Sequence, residues 1–233
     1  MASRRPRNTA RTGLGFALEA ARSLRSTGSL TPSGRRLAER LADPVASVPS
    51  PVTVLEVGAG TGVVTRAIAA RLRSADRLDA VEVNPRFAEI LRTSLVDDPV
   101  LAAVADRVRV LPRSITEIRL DRRYDTIISG LPFMNFDPAE VRNILDRYLA
   151  ALVPGGQLVL YGYVGTQVAR RLVGSRTDGA RPRAVGAVLA DFERDYGCGH
   201  AVVWRNLPPA RIRHLRAPAP SPPASAATRG PNS

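Results

Sequence analysis

Val54-Leu55-Glu56-Val57-Gly58-Ala59-Gly60-Thr61-Gly62 is the stretch that decides the fold. A short apolar run carries one acid and breaks into alternating glycines. It then opens onto an apolar-periodic segment, Val63 to Arg73. That order is strand, glycine turn, helix N-terminus. Such a turn brings bare backbone N–H groups and a carboxylate to a nucleoside-type ligand. The spacing is Gly-x-Gly-x-Gly, whereas dinucleotide-binding folds carry Gly-x-Gly-x-x-Gly.

Outward from this turn the chain alternates strand and helix signals. Upstream strand residues begin at Val52, and the helix after the turn is predicted to run to Arg73. Leu78 to Val83 reads as a second strand, and Asn84-Pro85 opens a helix to about Leu95. Val108 to Pro112 and Tyr124 to Ser129 read as strands three and four. Asp137-Pro138-Ala139-Glu140 is a capping-box-like start for a helix to Leu152, which Val153-Pro154-Gly155-Gly156 breaks before strand five, Gln157 to Tyr163. Val168 to Val173 and Val185 to Phe192 look helical, with a polar loop at Ser175 to Pro182 between them. Ala201 to Arg205 and Ile212 to Leu215 look extended. Alternating units of this kind predict an α/β fold whose mostly parallel sheet is covered on both faces.

The ends differ from this core. Residues 1–12 read as a basic disordered tail, and 13–48 as helices. Residues 49–216 read as the α/β domain, and 217–233 as a Pro/Ala/Ser-rich tail. Leu14, Leu18, Ala21 and Leu24 fall on one stripe of an amphipathic helix. A second helix is predicted at Ser33 to Leu41, followed by a linker from Pro44 to Pro51. No apolar run approaches the ~18–20 residues of a membrane span. Cys198 is the single cysteine, so no disulfide or zinc framework is expected, and a cytoplasmic enzyme fits.

All basic residues are arginine, and the formal net charge is +13. The absence of lysine excludes Schiff-base and lysine-base chemistry. Residues 1–40 carry nine arginines and two acids, 41–162 carry 14 and 15, and 163–216 carry ten and four. A near-neutral core with basic flanks points to a polyanionic partner, either a nucleic acid or an anionic membrane surface.

The candidate ligand-binding residues follow from position. Gly58, Ala59, Gly60 and Gly62 form the turn, and Glu56 faces it from the strand. Glu82 stands 22 residues after Gly60, at the carboxyl end of strand two, where ligands of open α/β sheets bind. A carboxylate there accepts two ribose hydroxyls. Strand four exits into Ser129-Gly130-Leu131-Pro132-Phe133. A reactive amine needs carbonyl acceptors that aim its lone pair, a proline fixes their direction, and an aromatic ring walls a cationic site. The loop resembles the Asn/Asp/Ser-x-Pro-aromatic motif of methyltransferases acting on amines, which implies Ser129, the Leu131 carbonyl, Pro132 and Phe133 as the residues that hold an acceptor nitrogen. Tyr161 and Tyr163 share one face of strand five and are candidates to orient the substrate or relay a proton. Asn206-Leu207-Pro208-Pro209 has a similar pattern but follows a later strand, so it reads as an exit turn.

The Glu56-x-Gly58-x-Gly60-x-Gly62 turn resembles the first motif of class I S-adenosylmethionine (SAM) methyltransferases. Together with Thr27 to Ser33, Ser129 to Phe133 with Asn135-Phe136, and Trp204 to Ala210, it resembles one branch, the bacterial phospholipid N-methyltransferases. The resemblance spans residues about 27–210. It implies a single Rossmann-like domain with a seven-stranded sheet and an N-terminal helical extension. It implies SAM as cofactor and successive methylation of phosphatidylethanolamine towards phosphatidylcholine. It implies a protein lying peripherally on the cytoplasmic membrane face, docked through the amphipathic helix; a monomer is expected, with Arg183 or Arg205 as the candidates to pair a lipid phosphate. The family acid that meets adenine after strand three is missing from Pro112-Arg113-Ser114-Ile115, leaving Ser114 as the candidate there. The same turn and the amine-type loop also resemble rRNA adenine N6-dimethyltransferases, so RNA is the alternative substrate, and a small amine a further one.

Overall fold

A computed structural model describes residues 32–163, 180–204 and 209–219. The basic tail, the amphipathic helix at Leu14 to Leu24, the segment 164–179 and the turn 205–208 lie outside the described residues, as do residues 220–233. The strands are β1 (Thr53–Val57), β2 (Arg77–Val81), β3 (Val108–Leu111), β4 (Tyr124–Ser129), β5 (Leu152–Tyr163), β6 (Gly197–Val203) and β7 (Ala210–Arg216). They form one sheet ordered β3-β2-β1-β4-β5-β7-β6. The first five are parallel, and β7 runs antiparallel to both β5 and β6. The predicted α/β class, the seven strands and the mostly parallel sheet are all present. Strand order reverses between β1 and β4, so the crevice for a ligand opens at their carboxyl ends.

The helices are α1 (Pro32–Ser47), α2 (Val63–Ala69), α3 (Pro85–Asp97), α4 (Pro99–Ala102), α5 (Pro138–Ala151) and α6 (Ala180–Tyr196). Alternation along the central strands divides the core. Leu55, Val57, Ile127 and Leu158 pack towards α5 and α6, against Ile144, Tyr148 and Phe192. Val54, Ile128 and Val159 pack towards α1 and α2, against Leu41, Val45 and Ile68. Central strands buried on both faces read as continuous apolar runs, which is why β1 and β4 were legible. Each such leucine, valine or isoleucine contributes roughly 1.5–3 kcal/mol.

Several boundaries differ from expectation. Helix α1 continues to Ser47, straight through Pro44, where a linker was predicted. Its apolar stripe explains this: Leu41, Ala42 and Val45 are all fully buried, and that packing outweighs the backbone bond proline removes. Helix α2 stops at Ala69 rather than Arg73, because Arg71 and Leu72 N–H groups tighten onto the Ile68 (2.8 Å) and Ala69 (3.2 Å) carbonyls. Strand β5 starts at Leu152, and the proline–glycine stretch is an irregularity within it. Pairing jumps from Tyr124–Leu152 to Thr126–Gln157, with Gly155 at φ 75°. Helix α6 and strand β6 both begin earlier than their apolar patterns suggested. Asp137 makes no side-chain cap bond to α5. Its carboxylate instead pairs with Arg181 at 3.0 Å, tying the start of α6 to the start of α5.

Candidate active site

The glycine turn needs its glycines for conformation. Gly58, Gly60 and Gly62 take φ of 79°, 58° and 94°, in the left-handed region that side chains disfavour. The Gly58 and Ala59 N–H groups donate to the Val81 carbonyl at 2.8 and 3.1 Å, stitching the turn to the end of β2. At Gly60 a Cβ would meet no atom within 4 Å, so open space lies beside its backbone. At Gly62 a Cβ would lie 2.8 Å from Leu91 Cδ1, so that glycine lets α2 start close against α3.

Two buried acids face this turn. Glu82 is 6% exposed and follows β2 directly. Its Oε2 accepts the Gly60 N–H and its Oε1 the Asn84 N–H, both at 2.7 Å. Burial raises its carboxyl, opposed by the N–H groups of Asn84, Gly60 and Val83. Each Glu82 oxygen keeps lone-pair capacity for a further donor. Glu56 is 2% exposed on the α2 side of β1, and Thr65 Oγ1 donates to its Oε2 at 2.6 Å. Burial pushes Glu56 up to about 7 against that Thr65 bond, and the Glu82 charge adds to the rise. Two carboxylates beside a glycine cradle suit a ligand bearing hydroxyls and a cation. The residues present therefore fit an aminoacyl nucleoside such as SAM.

The strand-four loop lies directly against the turn. Gly130 N–H donates to the Val57 carbonyl at 2.8 Å, and a Cβ on Gly130 would sit 3.2 Å from the Gly58 oxygen. Leu131 Cδ2 lies 3.3 Å from where a Gly58 Cβ would be. The structure thus brings the two motifs into contact across β1 and β4. Pro132, at φ −78° and ψ 72°, forms an inverse γ-turn in which Phe133 N–H donates to the Leu131 carbonyl at 2.9 Å. That carbonyl is held in a fixed direction and keeps a second lone pair.

Other expected site residues are placed differently. Ser129 is fully buried, and its hydroxyl shares a 3.0 Å hydrogen bond with Tyr148 and accepts weakly from Leu131 N–H at 3.4 Å. It supports the loop from below and does not present its side chain to an acceptor. Phe133 is 5% exposed and packs into the core beside Phe136, with ring centroids 6.4 Å apart, so it presents little wall to the site. Ser114 is half-buried after β3. Its hydroxyl bonds Thr116 Oγ1 at 2.8 Å within a local turn. Tyr161 Cε1 lies 3.5 Å from the Gly130 Cβ position, beside the loop. Tyr163 ends β5 opposite Ala210, and its side chain lies outside the described residues. Arg183 is exposed near the start of α6, and Arg205 lies outside the description. Thr65 and Tyr148 are the partners that sequence reading missed. Thr65 had one signal, its place in the first turn of the helix after Gly62. Tyr148 had none.

Residues 54–156 match the family model for a methyltransferase domain. The ornithine lipid N-methyltransferase of Singulisphaera acidiphila is 34% identical over 104 residues, covering 44% of this chain and 53% of that protein. The malonyl-[acyl-carrier protein] O-methyltransferase of Priestia megaterium is 26% identical over 108 residues, covering 46% of this chain and 35% of that protein. The chain therefore spans about half or less of these relatives' lengths. The fold matches that of the N-methyltransferase NodS from Bradyrhizobium japonicum in complex with S-adenosyl-L-homocysteine. The TM-score is 0.63 at 15% identity, covering 87% of this chain and 99% of that one.

Proposed function

We propose that this chain is a class I SAM-dependent methyltransferase and that it methylates a lipid-borne primary amine, phosphatidylethanolamine being the substrate its motifs favour. The observation that carries this reading is the contact of the Gly130–Leu131 loop with the Gly58 backbone. An amine-type loop packed on the cofactor turn places acceptor and donor sites side by side. The lipid N-methyltransferase among the relatives supports a lipid amine over a small one.

Bound SAM supplies an electrophilic methyl group. The chain's own part is positional. Gly58, Ala59, Gly60 and Gly62 admit the cofactor to the backbone. Glu82 accepts ribose hydroxyls, and Glu56 compensates a cationic amino group. The Leu131 carbonyl, aimed by Pro132, accepts an N–H from the substrate and so orients the nitrogen lone pair. Tyr161 borders that position, and Tyr163 remains the second candidate at the end of β5. A peripheral position at the cytoplasmic membrane face follows from such a substrate. No helix among the described residues is long and apolar enough to cross a membrane.

The test offers labelled SAM with total lipid and with total rRNA in separate reactions. Label in phosphatidylethanolamine derivatives is the expected result. Label in rRNA alone would refute the lipid reading and favour the RNA alternative that the basic flanks also suit.

A further inference from the structure

A cleft of about 520 Å³ opens between the segment that leads into β4 and the last turn of α5. That volume suits a small organic molecule. Helix α5 begins just after the Leu131–Phe136 loop and ends at this cleft, 14 residues later. The loop and the cleft are therefore about 20 Å apart. The cleft flanks the amino end of β4, whereas the glycine turn faces its carboxyl end, so the two lie at opposite ends of the sheet.

Arg119, Arg122, Arg123 and Arg147 line the cleft, and among the described residues Glu117 is the one acid that does. Arg122 is 3.7 Å from Asp79 and 3.8 Å from Asp121, and Arg109 pairs with both of those acids. These two arginines and two carboxylates cancel. Arg123 and Arg147 are held differently. Arg123 donates to the Ala150 carbonyl. Arg147 donates from Nε to the Ile115 carbonyl at 3.1 Å and from Nη2 to the Ile118 carbonyl. A carbonyl acceptor fixes the direction of a guanidinium and leaves its positive charge in place. Arg119 is exposed and makes no ion pair among the described residues. Asp125 and Asp146, one or two residues along the chain from this set, do not line the cleft. Arg119, Arg123 and Arg147 thus stand against Glu117 alone, a surplus of about two positive charges. Ile118, Leu120 and Ala151 give the same cleft an apolar wall.

Guanidinium groups match phosphate oxygens through paired N–H donors, and a surplus of this size suits a dianion. Inorganic phosphate would leave most of the volume and all of the apolar wall unused. We propose that the cleft binds a phosphate monoester with a small organic body, of the sugar-phosphate or mononucleotide class. Its phosphate meets Arg119, Arg123 and Arg147, and its body lies along Ile118 and Leu120. The site is independent of which amine the catalytic crevice methylates.

Calorimetry on the full chain tests this, with ribose 5-phosphate, AMP, inorganic phosphate and ribose as titrants. Saturating S-adenosyl-L-homocysteine keeps the cofactor crevice occupied throughout. The expected result is one site per chain for ribose 5-phosphate or AMP, tighter than inorganic phosphate and weakened by salt, with ribose silent. Arg119→Ala should weaken it about tenfold, the loss of one charge-assisted contact, and Arg119→Glu should abolish it. Arg77→Glu alters an exposed arginine at the start of β2, outside the cleft, and should leave affinity within twofold. Equal losses from Arg77→Glu and Arg119→Glu would assign the binding to net charge and overturn the inference. So would silence of both monoesters, inorganic phosphate binding as tightly as they do, or an Arg119→Glu effect confined to rRNA binding.

Discussion

Glu56→Gln should stabilise the ligand-free protein, and by an amount that depends on pH. Glu56 is 2% exposed, and its carboxyl is pushed up from 4.5 to about 7 by burial. The folded state thus keeps its proton to higher pH than the unfolded chain. Between pH 4.5 and 7 the unfolded chain sheds that proton and the folded one does not, so stability falls as pH rises. Above 7 the full penalty is present. A shift of that size corresponds to about 3 kcal/mol. Glutamine removes the charge and still accepts the Thr65 hydroxyl, but its amide N–H₂ gains no obvious partner, which costs about 1 kcal/mol. The net gain at pH 8 is about 2 kcal/mol, or roughly 4–8 °C in Tm for a chain of this size. At pH 4.5 the gain should vanish and leave the glutamine variant up to about 1 kcal/mol less stable. Thermal unfolding followed by circular dichroism at half-unit steps from pH 4.5 to 8 measures the difference between the two proteins. Saturating SAM should flatten the wild-type slope, because a cation beside Glu56 favours its charged form. A Tm difference that is constant across the window would refute the assignment of a buried, proton-retaining carboxylate.

The glycines of the turn should separate by role. Gly60→Ala places a methyl in open space at φ 58°, so it should cost about 1–2 kcal/mol in stability yet abolish SAM binding in calorimetry. Retained affinity would place the cofactor elsewhere. Gly62→Ala meets Leu91 Cδ1 at 2.8 Å and should lower Tm more than Gly60→Ala does. Equal losses would argue that backbone strain alone governs both. Ser129→Ala strands the buried Tyr148 hydroxyl and frees Leu131 N–H, costing about 2 kcal/mol. It should lower kcat while the SAM Kd holds. A weakened SAM Kd with normal kcat would assign Ser129 to the cofactor side.

The parts of this site that sequence disclosed are those where one residue type is compulsory. Glycine is strongly favoured at the φ of 58–94° taken by Gly58, Gly60 and Gly62, so the turn is written in the chain. Glu82 was legible because its place at the end of β2 follows from the strand pattern. Hydroxyl partners were not legible in this way. Ser129 meets Tyr148 across 19 residues and two elements, and Thr65 meets Glu56 only because α2 docks on β1. Phe133 was misjudged because the loop it ends has no period: a single turn of 3-10 helix, Phe133–Asn135, rotates its ring into the core. Pro44 was misjudged as a stop because local propensity was read without the buried stripe that continues to Val45.

The same distinction separates donor from acceptor. Residues 54–156 match a methyltransferase-domain model, and stretches of 104 and 108 residues resemble a lipid N-methyltransferase and an acyl-carrier O-methyltransferase. On the proposed reading, what those chemistries would have in common is a cofactor held by the backbone turn and two carboxylates. In the proposed arrangement the acceptor nitrogen would be held by a main-chain carbonyl, which any residue supplies, so its identity would leave little trace in residue type at Leu131. What selects the acceptor must then act from outside that carbonyl, by deciding which molecules reach it. On the proposed reading, substitutions around the site mouth should change which amine is methylated while leaving SAM affinity intact.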